Sequence, residues 1–290
     1  MPWVRTGPVK TLRMIWNDET IIRLAVFAGI FVTMAAWEIL APRRKLAVRW
    51  TRRWVTNLSL IGVDALAVRV VLPIVAVGVA AWSEHQGIGL FALVDLPFWL
   101  ELAVAVALLD LAIYLQHLAT HKIPVLWRLH RVHHADRDID VTTGLRFHPI
   151  EMVLSMVWKF AVIVAIGASP MAVFVFEVLL NGLAMFNHAN VRIPAAADRV
   201  LRLAVVTPDM HRVHHSVRLE ETDSNYGFNL SLWDRLFGTY RPQPRDGHEA
   251  MRIGLLDCLD DRPTRLGWSL LSPFTDHVRR RISKERAEST

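Results

Sequence analysis

Apolar residues run along this chain in five long blocks, and the polar residues fall mainly in the gaps between them. The blocks are Ile21–Leu40, Leu58–Trp82, Pro97–Gln116, Met152–Gly167 and Met171–Phe186. At about 1.5 Å rise per residue the first three are long enough to cross a hydrocarbon core of about 30 Å. The last two span only about 24 Å each by the same rise and are parted by Ser169-Pro170. They read as a short helical hairpin. The pattern predicts an all-α integral membrane helical bundle of about four to five transmembrane or re-entrant helices.

Charge placement orients the bundle. Arg43, Arg44, Lys45, Arg49, Arg52 and Arg53 lie between the first two blocks, whereas the loop from Glu84 to Asp95 has no Lys or Arg. The basic loop is therefore expected on the cytoplasmic face. Counting crossings, the chain returns there at His117, and the hairpin leaves and returns between His148 and His188. Arg23, Asp64, Arg69, Asp110 and Glu177 sit inside blocks, where each should face protein or a polar cavity rather than lipid.

Composition narrows the class. The 290 residues are 53% apolar and carry a net charge of +6. Because the basic residues flank apolar segments, a membrane face accounts for them better than nucleic acid does. One cysteine, Cys258, excludes a disulfide framework, a thiolate zinc site and an iron–sulfur cluster. A cleavable signal peptide is not expected, since the first block ends in APRRK rather than a small-residue cleavage site. Three segments are expected: membrane helices with the basic loop (1–96), a histidine-rich core (97–245) and a basic cytoplasmic tail (246–290). The part of the tail beyond Pro273 is expected to fray.

Two stretches, LHRVHHAD at Leu129–Asp136 and MHRVHHSV at Met210–Val217, share the letters HRVHH. Of thirteen histidines, ten fall between His117 and His215: His117, His121, His130, His133, His134, His148, His188, His211, His214 and His215. By the crossing count all ten lie at one face of the membrane. His117 and His121 are i, i+4 on one helical face, and His130/His134 and His211/His215 repeat that spacing. Two chance copies of HxxHH have a probability on the order of 10⁻³ at this histidine frequency. Ten uncoordinated imidazoles would repel when charged and lack partners when neutral. Metal binding is the expectation, with no role for His85, His248 or His277.

Ten nitrogens exceed what one ion takes, so two ions are expected. A histidine-rich shell poor in carboxylates suits iron, copper or zinc. No histidine has an acidic residue three positions before it, so the Glu-x-x-His signature of soluble di-iron bundles is absent. His134-Ala-Asp136 matches half of a facial triad only weakly, and haem is a poor fit for histidines clustered at span ends.

The ordered set H-x3-H (His117, His121), H-x2-HH (His130, His133, His134), FHP-x-E (Phe147–Glu151), Asn187-His188, and H-x2-HH (His211, His214, His215) followed by Asn225-Tyr226-Gly227 resembles the fatty acid hydroxylase and sterol desaturase superfamily. SLWDRLFGTY, Ser231–Tyr240, looks like the family's ending, so the resemblance covers roughly Leu108–Tyr240. TTGLRFHPIE and NYGFNLSLWDRLFGTY look closest to the branch containing alkylglycerol monooxygenase and bacterial sterol-desaturase-like proteins, with ornithine-lipid hydroxylase as a neighbour. The resemblance implies a membrane di-iron oxygenase that uses O2 to hydroxylate or desaturate a lipid C–H bond. The lipid would be a sterol, fatty acyl chain, ether lipid or aminolipid, and the ten histidines would be ligands of two Fe ions, with zinc possible in overexpressed protein.

Around that site, Asp110 is expected to hydrogen-bond a ligand imidazole, with Asn187 and Asp209 as further supports. Spans two to five would form the lipid channel. Trp127, Trp158 and Trp233 read as core or interface residues. Gly87–Ala92 mimics a dinucleotide motif but lacks its strand–helix context. With no flavin, cytochrome or ferredoxin module visible, an external electron donor is expected: a ferredoxin, a cytochrome b5-like protein or a reductase, docking on the basic surface. Two other readings compete. One is a zinc-dependent membrane lipid hydrolase, which would need a carboxylate base and no O2. The other is a metal-binding or transport protein, which would need histidines along a path through the bilayer.

Overall fold

A computed structural model of the chain describes residues 8–275. His277 and the end of the expected tail lie outside the described residues. All secondary structure longer than an isolated bridge is helical among the described residues. The long helices are α1 (Pro8–Leu40), α2 (Trp50–Val71), α3 (Ala76–Gln86), α4 (Phe98–Lys122), α5 (Pro124–His134), α6 (Pro149–Ile166) and α7 (Pro170–His188). Shorter helices follow: α8 (Ala195–Leu201), α9 (Pro208–His214), α10 (Leu219–Thr222), α11 (Leu232–Leu236), α12 (Gly247–Ala250) and α13 (Leu266–Leu271). Five stretches are long and apolar enough to cross a membrane, and the chain is an integral membrane protein.

Local chemistry sets the breaks. Proline opens α5, α6, α7 and α9, where its missing N–H costs no helical bond. The block expected as one span over Leu58–Trp82 is two helices. Pro73 forces Leu72 into an extended conformation (φ −121°, ψ 91°), and α2 stops there. Both α2 and α3 then pack along α6. They run from the N-terminal end of α6 to its C-terminal end, where Gly89 meets Gly167. A Cβ on Gly89 would lie 2.2 Å from the Gly167 nitrogen, so the contact requires glycine. The two helices thus run the length of α6 as one kinked unit. The third span continues past Gln116 to Lys122, carrying both its histidines on the helix.

The core between α3, α4, α6 and α7 is built on small residues, Ala76, Ala80, Ala105, Ala168 and Ala172, around Leu109, Ile163 and Phe176. Small side chains let helices approach closely where lipid offers no hydrophobic drive. Large apolar residues such as Ile39 and Leu93 point outward. Of the ionisable residues inside spans, Asp64 and Asp110 are buried, and Glu177 accepts from Arg23 (2.7 Å) and Lys159 (2.9 Å), tying α1, α6 and α7 together. Arg69 differs from expectation. It is exposed in the last turn of α2, where a long side chain can snorkel and the helix C-terminus favours a cation.

The basic loop is structural as much as topological. Arg53 is fully buried, donating to Asp136 (2.6 and 2.8 Å) and Asp140. Asn57, one turn on, bonds Asp136 and Thr142 and accepts from Arg146 at 2.8 Å. Arg146 also reaches the Pro263 carbonyl and Ser269 Oγ. These contacts clamp the start of α2 to segment 136–146 and to the chain after α12. The buried Arg53 holds the Asp136 carboxyl down to about 2. The C-terminal ends of α1, α4 and α7, the N-terminal ends of α2 and α6, and helices α5 and α9 all meet in this region.

Candidate metal centre

Nine of the ten expected histidines converge at that end. His117 and His121 project from the last turns of α4, His130, His133 and His134 from α5, and His188 from the last turn of α7. His211 and His214 come from α9, and His215 is its C-cap residue. They form two groups whose nitrogens lie within 4.8 Å of one another: His117, His121, His130, His134 and His214 in the first, His133, His188, His211 and His215 in the second. Neither HRVHH stretch stays whole. The i, i+4 pair His130/His134 faces the first group and His133 the second; His211/His215 face the second and His214 the first. The groups touch where His134 stacks on His215, with centroids 4.6 Å apart.

The outward ring nitrogens are anchored by acceptors. Nδ1 of His117 bonds the Tyr226 carbonyl (2.7 Å), that of His133 the Arg146 carbonyl (3.1 Å), and that of His188 the Ala184 carbonyl (2.7 Å). Nδ1 of His214 bonds the Ser224 carbonyl (2.7 Å), and that of His130 bonds Glu151 Oε1 (2.6 Å). Carbonyl and carboxylate oxygens only accept, so each Nδ1 carries the hydrogen and each Nε2 a lone pair. Two pairs of those lone pairs are aimed at each other, His117 to His130 at 3.2 Å and His133 to His188 at 3.1 Å, and His211 Nε2 lies 3.0 Å from His188 Nε2. Nε2 of His121, His134 and His214 and both nitrogens of His215 are buried without any hydrogen-bond partner. Lone pairs facing one another, and orphaned nitrogens beside them, fit a cation between them.

Burial and the neighbouring imidazoles push His133, His134, His211 and His215 well below the usual histidine range, and His214 down to about 3. These rings are neutral at neutral pH, the form that binds metal.

Local sequence explains the anchors. Asn225 adopts a left-handed conformation (φ 50°), and its side chain bonds the Met210 and Arg241 carbonyls. Asp234 accepts from the Tyr226 and Gly227 nitrogens at 2.7 and 2.9 Å. A Cβ on Gly227 would lie 2.7 Å from Asp234 Oδ2 and 3.0 Å from the Leu230 carbonyl oxygen, so the packing favours glycine. The Asn-Tyr-Gly turn and the Trp-Asp of α11 therefore fix the carbonyls of Ser224 and Tyr226 against His214 and His117.

His148 stands apart from both groups. It caps α6, accepting from the Ile150 nitrogen at 3.2 Å through Nδ1 and donating to the Leu270 carbonyl at 3.2 Å through Nε2, so both ring nitrogens are engaged. The expected supports also act elsewhere. Asp110 binds Trp233 Nε1 (2.9 Å) and the Leu230 nitrogen (3.0 Å), bracing the segment after the Asn-Tyr-Gly turn rather than an imidazole. Asn187 donates to the Phe228 carbonyl, and Asp209 pairs with Arg43 and Arg212. The side chain that hydrogen-bonds a ring is Glu151, the last residue of the FHP-x-E motif, which sequence reasoning left without a role, and Asp223 Oδ1 lies 3.6 Å from His121 Nδ1. The other anchors are main-chain carbonyls, which no residue letter announces. Trp127 packs against His121 (centroids 4.9 Å) and His134 (5.4 Å).

An apolar chamber of about 100 Å³ borders His117 and His130. Its walls come from α4, α6 and α7, with Phe147 and Phe228, and not from α2 or α3 as a channel of spans two to five required.

Residues 102–239 match the fatty acid hydroxylase family. This stretch is a fatty acid hydroxylase domain. The domain contains all nine converging histidines, Glu151 and the Asn-Tyr-Gly turn. Relatives include the ornithine lipid hydroxylase OlsE of Rhizobium tropici, 31% identical over 51% of this chain and 44% of that protein. Alkylglycerol monooxygenase of Xenopus tropicalis is 34% identical over 46% of this chain and 29% of its own length. A cholesterol 25-hydroxylase-like protein of Danio rerio is 29% identical over 48% and 55%. The chain thus spans less than two thirds of the length of each of these three relatives. No solved structure matches the chain.

Proposed function

We propose that this protein is a membrane-bound di-iron oxygenase that hydroxylates or desaturates a lipid C–H bond. One observation carries the reading: two adjoining groups of buried, neutral imidazoles aim lone pairs inward at the edge of an apolar chamber. His117, His121, His130, His134 and His214 would hold one iron, and His133, His188, His211 and His215 the other. Five nitrogens exceed the four that zinc prefers, which favours iron in the first group. Two irons supply the redox chemistry by which O2 oxidises an unactivated C–H bond. Hydroxylation consumes O2, two electrons and two protons and releases water, and the electrons come from an external donor of the ferredoxin, cytochrome b5-like or reductase class.

The chain's own residues prepare the site. Glu151 and the carbonyls of Arg146, Ala184, Ser224 and Tyr226 hold five rings in one tautomer and orientation, as second partners of metal-ligating histidines do. Ile113, Phe147, Met152 and Phe228 give the chamber an apolar wall, which suits an alkyl segment. The two groups lie side by side at one end of the bundle rather than in file through it, which argues against transport. The loop charges favour the cytoplasmic face for this end.

Metal content and O2 consumption on detergent-purified protein from iron-replete cells test the reading. About two irons per chain, with reductant-driven O2 uptake and oxidised lipid products, is the expected outcome. Zinc bound together with O2-independent lipid hydrolysis would establish the hydrolase instead.

A further inference from the structure

The chamber beside His117 and His130 has an outer neighbour of about 210 Å³. The outer chamber is walled by Leu115 and Ala119 of α4, Leu126 and Leu129 of α5, and Leu154 and Trp158 of α6. Leu115, Leu154 and Trp158 are each about two-fifths exposed on the side of the bundle, at 42%, 45% and 41%. Lipid therefore borders the outer chamber, and the metal centre borders the inner one.

Four side chains line both chambers: Gln116, Thr120, Glu151 and Ser155. Thr120 is committed to the His117 carbonyl (2.7 Å). Ser155 Oγ donates to Gln116 Oε1 at 3.2 Å, linking α6 to α4. Glu151 is 6% exposed and spends one carboxylate oxygen on His130, while the other, Oε2, is buried with no partner. A buried carboxylate oxygen left unpaired at the junction of two apolar chambers is costly unless a donor arrives.

We propose that Gln116, Ser155 and Glu151 form a polar collar that binds a hydrogen-bond donor, such as a hydroxyl or amide N–H, of a lipid entering sideways between α4 and α6. The proposal deepens the oxygenase reading and rests on it only for the fate of the bound chain. The donor answers Glu151 Oε2, and an alkyl segment lies in the inner chamber against Ile113, Met152, Leu180 and Phe228. The collar would then set which carbon reaches the metals, by fixing the distance between the donor and the reacting end.

Photolabelling of the iron-loaded protein in nanodiscs tests this without turnover. The probe is a long-chain alcohol with a diazirine at the far end of its chain, competed by cetyl alcohol or by cetyl methyl ether, which lacks the donor. Labels are expected on inner-chamber residues such as Met152 and Leu180. Cetyl alcohol should compete about tenfold better than the ether, the worth of one charge-assisted hydrogen bond. The preference should shrink in Gln116→Leu/Ser155→Ala, whose iron content should equal wild type, and collapse in Glu151→Gln, which is compared at equal iron loading because Glu151 also anchors His130. Equal competition by the ether, or labels confined to other surfaces, would overturn the collar. Because binding is read alone, a protein that failed to consume O2 could still show the preference. A lipid oxidase without the preference would sink the collar and leave the oxygenase intact.

Discussion

His117 and His130 face each other Nε2 to Nε2 at 3.2 Å while both Nδ1 hydrogens are committed, one to the Tyr226 carbonyl and one to Glu151. As neutral rings, neither has a proton to share across that gap, an arrangement that a cation between them would satisfy. The same logic joins His133 to His188.

The partition of the two groups makes a first prediction. His130→Ala removes a nitrogen from the first group, and His211→Ala removes one from the second. Each variant should lose about one of two irons and nearly all oxidation activity, because the chemistry needs the pair. Iron analysis by mass spectrometry against protein concentration checks it; loss of both ions from every single variant would refute two separable sites.

His148 should behave differently. His148→Ala should keep both irons, since its ring is spent on the α6 cap and the Leu270 carbonyl. It should cost about 1 kcal/mol of stability, the worth of a lost N-cap. Iron content and a thermal melt in detergent separate the outcomes, and loss of an iron would return His148 to the ligand set.

The Asn-Tyr-Gly turn acts on the metals from outside. Asn225→Ala removes bonds to the Met210 and Arg241 carbonyls and puts a side chain with less tolerance for φ 50° at that position. The Ser224 and Tyr226 carbonyls should drift from His214 and His117, and iron affinity should fall about 10–100-fold, as for other supports of ligand histidines. Competition with a chelator of known affinity measures this.

Acid should release metal and destabilise the metal-free protein together. Burial holds His214 at about 3 and lowers His133, His134, His211 and His215 well below the usual value. Between the ordinary histidine pKa of about 6.5 and these lowered values, the unfolded chain binds more protons than the folded one. Stability is therefore highest above about pH 6.5 and falls progressively on acidification below it. Melting temperature of chelator-treated protein across pH shows the effect, and a flat profile between pH 7 and 4 would contradict it.

Several features could be read from residue letters alone. Apolar blocks set the spans, because lipid demands long runs that satisfy their own backbone. The i, i+4 spacing set which histidines share a helical face, because helical periodicity is local. The break at Pro73 was missed, because the pattern of apolar residues runs straight through it. What the letters could not decide is how each HRVHH stretch divides between two groups, since that depends on how α5 and α9 face α4 and α7 across the bundle. The anchors of four rings are main-chain carbonyls of Arg146, Ala184, Ser224 and Tyr226, and every residue has one. Asp110, Asn187 and Asp209 are near ligands in sequence, yet packing sends them to Trp233, Phe228 and Arg43. Sequence determined the donors and their helical phase. Only the tertiary structure decided which lone pairs meet, because facing partners come from segments 13 to 55 residues apart whose relative placement no local rule contains.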